Sequence, residues 1–145
     1  RLPIQDGIDV MTVGGVTFKR YLEIAQVLEK PTAVVTDNDG NIEAVKRKYK
    51  KYEGISYIRI CVDETVDTGK LRLSNKKFNY NTLEPKILKE NGRELLNDIF
   101  GTTFQTDDEM HKYMHSHKTN CAIDIFESAI KIKYPEYIMR AIENE

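Results

Sequence analysis

The stretch VVTDNDGN, residues 34–41, places two carboxylates, Asp37 and Asp39, at the end of an apolar run. On extended backbone at a strand end, side chains two positions apart point the same way, so both carboxylates should face one site. Two negative charges at that spacing repel each other, and a divalent cation is the simplest group that neutralises them. Oxygen ligands of this kind, together with some water, suit Mg2+ or Mn2+.

Strand and helix patterns alternate on both sides of this stretch. Runs of apolar and β-branched residues predict buried strands over residues 8–15, 32–36 and 55–64. Helical spacing predicts helices over 17–30, with Thr17 as the N-cap, and over 41–52. Because such alternation is typical of βαβ units, we expect an α/β fold with a mostly parallel central sheet of about four strands, flanked by helices on both faces.

The second half of the chain is more helical. Residues 66–85 are typical of a loop with a short strand, and helices are predicted after them over 91–101, 108–117, 119–133 and 136–143. Thr106 and Glu109 form a capping-box pattern before the second of these helices. The third carries an apolar face made of Cys121, Ala122, Ile125, Phe126, Ala129 and Ile130. Without a repeat or linker in the sequence, we expect one domain over residues 1–145.

Composition narrows the class of protein. The chain has 145 residues, 40% of them hydrophobic, and a formal net charge of −1, so attraction to nucleic acid has to come from local patches. Cys61 and Cys121 have neither metal-ligand nor redox spacing, which favours a reducing compartment. No apolar stretch approaches the ~20 residues that cross a bilayer, and RLPIQDG at the start does not look like a signal peptide. We expect a cytoplasmic protein without a membrane partner.

Three other interpretations of the DNDG stretch compete with a metal site. An EF-hand loop fails, because aligning Gly40 puts Lys46 where the loop needs a glutamate. A magnesium-dependent phosphatase of the haloacid-dehalogenase type resembles D-x-D-G-[TV], with Asp37 as nucleophile and TDDE, residues 106–109, as a late acidic pair. That motif usually opens the first strand of its domain, whereas a strand–helix unit is predicted before it here. The simplest alternative is an aspartate-rich turn that caps the next helix.

The wider order of segments resembles the Toprim domain of the overcoming-lysogenization-defect (OLD) family of ATP-dependent endonucleases. The resemblance rests on IDVMTVGG, a helix, TAVVTDNDG, TLEP, and KTNCAIDIFESA followed by YPEYIMRAI, and it covers nearly all of the chain. It implies that Asp37 and Asp39 match the D-x-D metal ligands and that Glu84 matches the acidic residue of the T-L-E segment. It also implies that Lys118 matches the lysine that opens a late helix.

The chemistry implied by this resemblance is hydrolysis of DNA phosphodiester bonds. Two Mg2+ or Mn2+ ions ~4 Å apart would need several converging carboxylates, which Asp37, Asp39 and Glu84 could supply. Lys118 would act as a catalytic cation that stabilises negative charge in the transition state. The implied partners are DNA and an ABC-type ATPase domain of a longer parent chain, where ATP would bind; a second copy of the chain is a further candidate.

One departure from the family concerns its first strand. Toprim domains open with a strand that ends in a glutamate, usually within E-G-x-x-E, and only RLPIQDG precedes IDVMTVGG here. We therefore expect this chain to be a fragment of a longer one. With one anionic ligand fewer, the fragment alone should retain metal weakly and cleave DNA little.

Two further groups of residues are candidates for binding. Lys46, Arg47 and Lys50 belong to the main basic cluster and could contact DNA phosphates, although a solvated helix face is the simpler interpretation. His111 and His115 have the i, i+4 spacing of a zinc pair, but His117 would face elsewhere unless the helix ends there, so zinc is a weak alternative. A catalytically silent Toprim module for dimerisation or DNA binding is the remaining alternative to an enzyme.

Overall fold

The structure, a computed structural model, describes residues 3–13, 18–67, 69–73, 76–77 and 80–143. The strands in these ranges are β1 (Thr32–Val35), β2 (Ile58–Cys61), β3 (Arg72–Leu73) and β4 (Lys76–Lys77). The α-helices are α1 (Phe18–Val27), α2 (Ile42–Tyr49), α3 (Leu83–Asn91), α4 (Arg93–Phe100), α5 (Asp107–Ser116), α6 (Lys118–Glu127) and α7 (Glu136–Ile142). Short 3-10 helices cover Pro3–Asp6 and Lys50–Tyr52.

β1, which leads to the DNDG stretch, forms a parallel pair with β2, in which Val34 lies opposite Ile60. On one face, these two side chains pack against the core that α1 and α2 build. The buried members of this core are Phe18, Leu22, Tyr49, Tyr52 and Ile58. α7 covers the other face, where Arg59 of β2 donates to the backbone oxygen of Glu143 (3.1 Å). Helices therefore flank the pair on both faces, and the predicted α/β class is confirmed.

Two expectations about the sheet need correction. Residues 8–13 form no strand and Val10 is 79% exposed, so the strand predicted over 8–15 is wrong for its described part. β-Branched residues favour a strand only where another surface packs against them, and this run lies at the surface. Within the described residues the parallel sheet has two strands instead of about four, because β3 and β4 pair antiparallel in a separate hairpin. Residues 14–17, including the predicted N-cap Thr17, lie outside the described part.

The second half folds around a core of its own. α3 to α6 surround the buried side chains of Leu71, Ile87, Leu88, Leu96, Phe100, Met110, Met114 and Cys121. The capping box is confirmed, since Thr106 Oγ1 accepts from the N–H of Glu109 and the Glu109 carboxylate accepts from the N–H of Thr106. Throughout the described ranges, no helix is long and apolar enough to cross a membrane.

Two helices in this half differ from their sequence patterns. The pattern around TLEP predicts a loop, yet α3 begins at Leu83, and Pro85 fits because it lies in the first helical turn. α6 ends at Glu127, before the predicted end at residue 133, and Cys121 is its buried residue. Phe126 is 80% exposed, so the apolar face predicted for this helix does not enter the core as a whole.

Polar contacts join the helical half to the sheet half. Lys86 on α3 is only 6% exposed, and its ammonium forms an ion pair with Asp63, which follows β2. Burial raises the pKa of Asp63, but hydrogen bonds from Lys86 and Thr65 and the charge of Lys86 together hold that pKa below its ordinary value. Asn81 forms a second link, because its side chain bonds to the backbone N–H and carbonyl of Asp67.

We expect Asp63→Asn to lower the free energy of unfolding by about 2 kcal/mol at pH 7, because Lys86 would stay buried without a carboxylate. The cost is below that of a fully buried pair, since the Asp63 side chain is 35% exposed. A carboxyl with a lowered pKa stabilises the fold above its unfolded value, 3.8, and loses that contribution as the pH falls through the folded pKa.

The deficit of Asp63→Asn should therefore shrink as the pH is lowered from 7 towards 3, which urea denaturation at each pH would measure. Asp98→Asn, at an exposed position of α4, is the matched control and should change stability little at either pH. An Asp63→Asn deficit that stays the same at every pH would contradict this account of the ion pair.

Candidate functional site

The DNDG stretch forms a turn immediately after β1. Asp39 and Gly40 have positive φ angles of 48° and 78°, so the extended geometry assumed for the two carboxylates ends before Asp39. Aspartate tolerates this left-handed conformation better than most residues do. Asp37 is half-buried and Asp39 is exposed, and the two carboxylates remain within electrostatic range of each other.

Asn38, between the two aspartates, fixes the turn to the rest of the protein. It is 1% exposed, and its amide nitrogen donates to the backbone oxygens of Asp63 (2.7 Å) and Thr65 (2.8 Å). Its side-chain oxygen accepts from the N–H of Gly40 (2.8 Å). The buried amide therefore ties the turn after β1 to the loop after β2, at the carboxyl end of the parallel pair.

Two groups from distant parts of the chain interact with the carboxylate of Asp37. The hydroxyl of Tyr137, on α7, donates to Asp37 Oδ1 at 2.9 Å. The backbone N–H of Leu83, the first residue of α3, lies close enough to the same carboxylate to lower its pKa. An acidic group is favourable at a helix N-terminus, where backbone N–H groups have no partner within the helix. The TLE segment thus reaches the DNDG turn through its backbone.

Glu84 and Lys118, both singled out in the sequence, form an ion pair with each other. Glu84 is the second residue of α3 and Lys118 is the first residue of α6. Lys118 Nζ lies 2.6 Å from Glu84 Oε1, and the Glu84 side chain is mostly buried while that of Lys118 is exposed. The pair brings the proposed catalytic cation to the same helix end that contacts Asp37.

The charge balance around Asp37 is negative. Burial raises the pKa of Asp37, and the charges of Asp39 and Glu84 raise it further. Hydrogen bonds from Tyr137 and Leu83 act in the opposite direction, but the pKa remains above its ordinary value. A carboxylate whose ionised form is disfavoured in this way would be stabilised by a nearby cation.

The side chains at this site are of a chemical type that suits a divalent cation, because Asp37, Asp39 and Glu84 all offer carboxylate oxygens. In the described part of the chain, no three His, Cys, Asp or Glu side chains are placed so that they could hold a metal ion together. Oε1 of Glu84 is paired with the ammonium of Lys118. Within the described residues neither Asp37 nor Asp39 forms an ion pair, and both lie in the turn.

The basic cluster lies on α2 and the 3-10 helix that follows it. Lys46, Arg47 and Lys50 are all exposed, as DNA-binding residues must be. Lys46 Nζ lies 3.0 Å from Glu64, in the loop after β2 to which Asn38 is bound. The cluster is therefore beside the loop that supports the turn, and Asn41, the N-cap of α2, directly follows that turn.

The three histidines of the second half do not lie together. His111 is buried and His115 is exposed, with their ring centroids 6.3 Å apart. The ring of His117 stacks on Tyr113, and its Nδ1 is 3.0 Å from the Tyr113 backbone oxygen. His117 is the C-cap of α5, so the helix does end there, and His117 forms no three-residue metal group with the other two histidines in the described part of the chain.

Two residues at this site were missed by sequence reasoning. Asn38 carries a weak signal, because a residue between two aspartates that face a ligand has to point towards the protein. Tyr137 carries none, since nothing in YPEYIMRAI indicates that its hydroxyl reaches a residue 100 positions earlier. Only the packing of α7 on the sheet brings the two together.

Comparison with known proteins adds one finding to this geometry. Residues 2–39 match the family model described as the TOPRIM domain of overcoming lysogenization defect protein-like proteins. The matched segment includes β1, Asp37 and Asp39 and ends there, so it does not reach Glu84 or Lys118. No curated protein and no solved structure matches the chain. The similarity therefore covers the segment that carries the two aspartates.

We expect Asp37→Asn to raise the melting temperature at pH 7 when EDTA is present. A carboxyl with a raised pKa stabilises the fold fully below its unfolded value, 3.8, and this contribution is lost as the pH rises through the folded pKa. The gain should therefore be smaller near pH 4, and thermal melts at both pH values would measure it. Asp9→Asn, at an exposed position, serves as the control; a lower melting temperature for Asp37→Asn at pH 7 would disagree with the charge balance described above.

Proposed function

We propose that this chain is the Toprim nuclease domain of an ATP-dependent DNA endonuclease of the OLD type, which hydrolyses phosphodiester bonds with Mg2+ or Mn2+. The main support is the set of residues that surrounds Asp37. The turn that contains it ends the segment similar to an OLD-like Toprim domain, and the charges of Asp39 and Glu84 both act on it. Acidic groups gathered at the carboxyl end of parallel strands are typical of metal-assisted phosphoryl chemistry.

In this proposal the acidic side chains bind the cation. Asp37 and Asp39 would offer oxygens from the turn. Glu84 would offer an oxygen from the start of α3, where its carboxylate is paired with the ammonium of Lys118. A bound divalent cation supplies an activated water and stabilises negative charge on the phosphate oxygens. The catalytic step therefore depends on how the chain orients these carboxylates.

Lys118 has the role of a positive group that faces the substrate phosphate. Its exposed ammonium lies at the first residue of α6, an unfavourable place for a cation in terms of the helix dipole. The ion pair with Glu84 offsets that cost and keeps the ammonium near the acidic group. A cation held there can stabilise the charge that develops on the phosphate in the transition state.

Lys46, Arg47 and Lys50 would bind the DNA backbone in the same proposal. Their exposure and their position beside the loop after β2 support a strand of DNA that runs from the turn along α2. The remaining partners are an ABC-type ATPase domain, at which ATP binds, and a second copy of the chain. A cytoplasmic location, where DNA and ATP are both present, completes the proposal.

The test is cleavage of supercoiled plasmid by the protein at its natural length, with Mn2+ and ATP. Asp37→Ala should reduce the cleavage rate by at least about 100-fold, because it removes a carboxylate that the metal chemistry needs. Asp98→Ala, the matched control on α4, should cleave like the wild type. Circular dichroism of all three proteins checks that the fold is kept.

Three outcomes would contradict the proposal. Plasmid cleavage that persists in Asp37→Ala would show that this carboxylate is not part of the nuclease site. Hydrolysis of p-nitrophenyl phosphate that depends on Asp37, without plasmid cleavage, would instead favour the dehalogenase-type phosphatase. DNA binding without either activity would favour a catalytically silent module.

A further inference from the structure

The hydroxyl of Tyr137 has a different kind of partner from two other tyrosine hydroxyls of this protein. Tyr57 donates to the backbone oxygen of Gln26 at 3.1 Å, and Tyr52 lies 3.5 Å from the backbone oxygen of Lys19. Those contacts satisfy a polar atom on a largely buried ring, as is usual for tyrosine. Tyr137 is 3% exposed, and its hydroxyl donates to the carboxylate of Asp37.

We propose that Tyr137 is a positioning residue that orients Asp37 for binding a divalent cation, an inference that rests on the proposed function. The hydroxyl and the Leu83 N–H approach the carboxylate from two separate helices, α7 and α3. A carboxylate has about four lone-pair sites, so these two donors fix its orientation and still leave oxygen sites for a ligand.

The surroundings of the ring make this orientation rigid. Lys86 Nζ lies 5.7 Å from the centroid of the Tyr137 ring, and Lys86 is itself held by Asp63. Arg140, one turn further along α7, donates to the backbone oxygen of Val62 at 2.8 Å. Because α7 is fixed to the end of β2 in this way, the Tyr137 hydroxyl has little freedom to leave Asp37.

Outer groups that donate to a metal-binding side chain set its geometry, and their loss typically weakens metal affinity ~10- to 100-fold. Tyr137→Phe removes the hydroxyl and keeps the ring, so the packing of α7 is preserved. The matched control is Tyr57→Phe, which removes a hydroxyl that donates to a backbone oxygen away from the turn. The two variants lose similar hydrogen bonds and differ in whether the bond reaches Asp37.

The experiment is a calorimetric titration of the purified protein at its natural length with Mn2+, run on the wild type, Tyr137→Phe, Tyr57→Phe and Asp37→Ala. We expect the Kd for Mn2+ to rise at least about 10-fold in Tyr137→Phe and to stay within about twofold in Tyr57→Phe. Asp37→Ala should bind more weakly still. Melting temperatures of the two phenylalanine variants should be similar, which separates positioning from stability.

Wild-type affinity in Tyr137→Phe, with affinity lost in Asp37→Ala, would overturn the role of Tyr137 and leave the proposed function standing. Absence of Mn2+ binding in the wild type would overturn the proposed function, and the role of Tyr137 with it. If Tyr137→Phe is too unstable to titrate, thermal melts of Asp37→Ala, which has no side-chain acceptor, with and without Tyr137→Phe provide a second measurement. Equal effects of Tyr137→Phe in both backgrounds would show that the two side chains are not coupled, and would also overturn the role.

Discussion

The carboxylate of Asp37 is the point at which the two halves of the molecule meet. Asp37 follows β1 of the sheet half, lies near the backbone N–H of Leu83 at the start of α3 in the helical half, and accepts from Tyr137 on α7. Each half has its own hydrophobic core, and polar contacts of Lys86 and Asn81 also join the two halves. A polar seam can place charged groups close together without exposing the apolar side chains on which the stability of each half depends.

The two aspartates at this seam, Asp63 and Asp37, have different electrostatic surroundings. Asp63 has Lys86 as a partner, and the pKa of Asp63 is held below its ordinary value against the effect of burial. Burial raises the pKa of Asp37, and two acidic neighbours raise it further, against two hydrogen bonds. Both aspartates follow strands of the same pair. Asp63 links secondary-structure elements through its ion pair, whereas Asp37 forms no ion pair within the described residues.

Local patterns in the sequence predicted the parts of this arrangement that depend on near neighbours. The βαβ pattern predicted β1, α2 and β2, and the capping box predicted the start of α5, because each depends on residues within a few positions. The predictions of a strand over 8–15 and of a longer α6 were wrong, since burial depends on which surface packs against a segment. The contact of Tyr137 with Asp37 could not be predicted from the sequence for the same reason. The grouping of Asp37 with Glu84 came from a family resemblance, which carries long-range information that periodicity lacks.

We propose that Asp37 and Asp39 bind a divalent cation at the carboxyl end of β1. The decisive measurement is a crystal structure of the protein soaked with Mn2+, with anomalous data. We expect an anomalous peak at the turn, ~2.2 Å from an oxygen of Asp37, with the Tyr137 hydroxyl still donating to that carboxylate. An anomalous peak elsewhere, or none at the turn at saturating Mn2+, would contradict it.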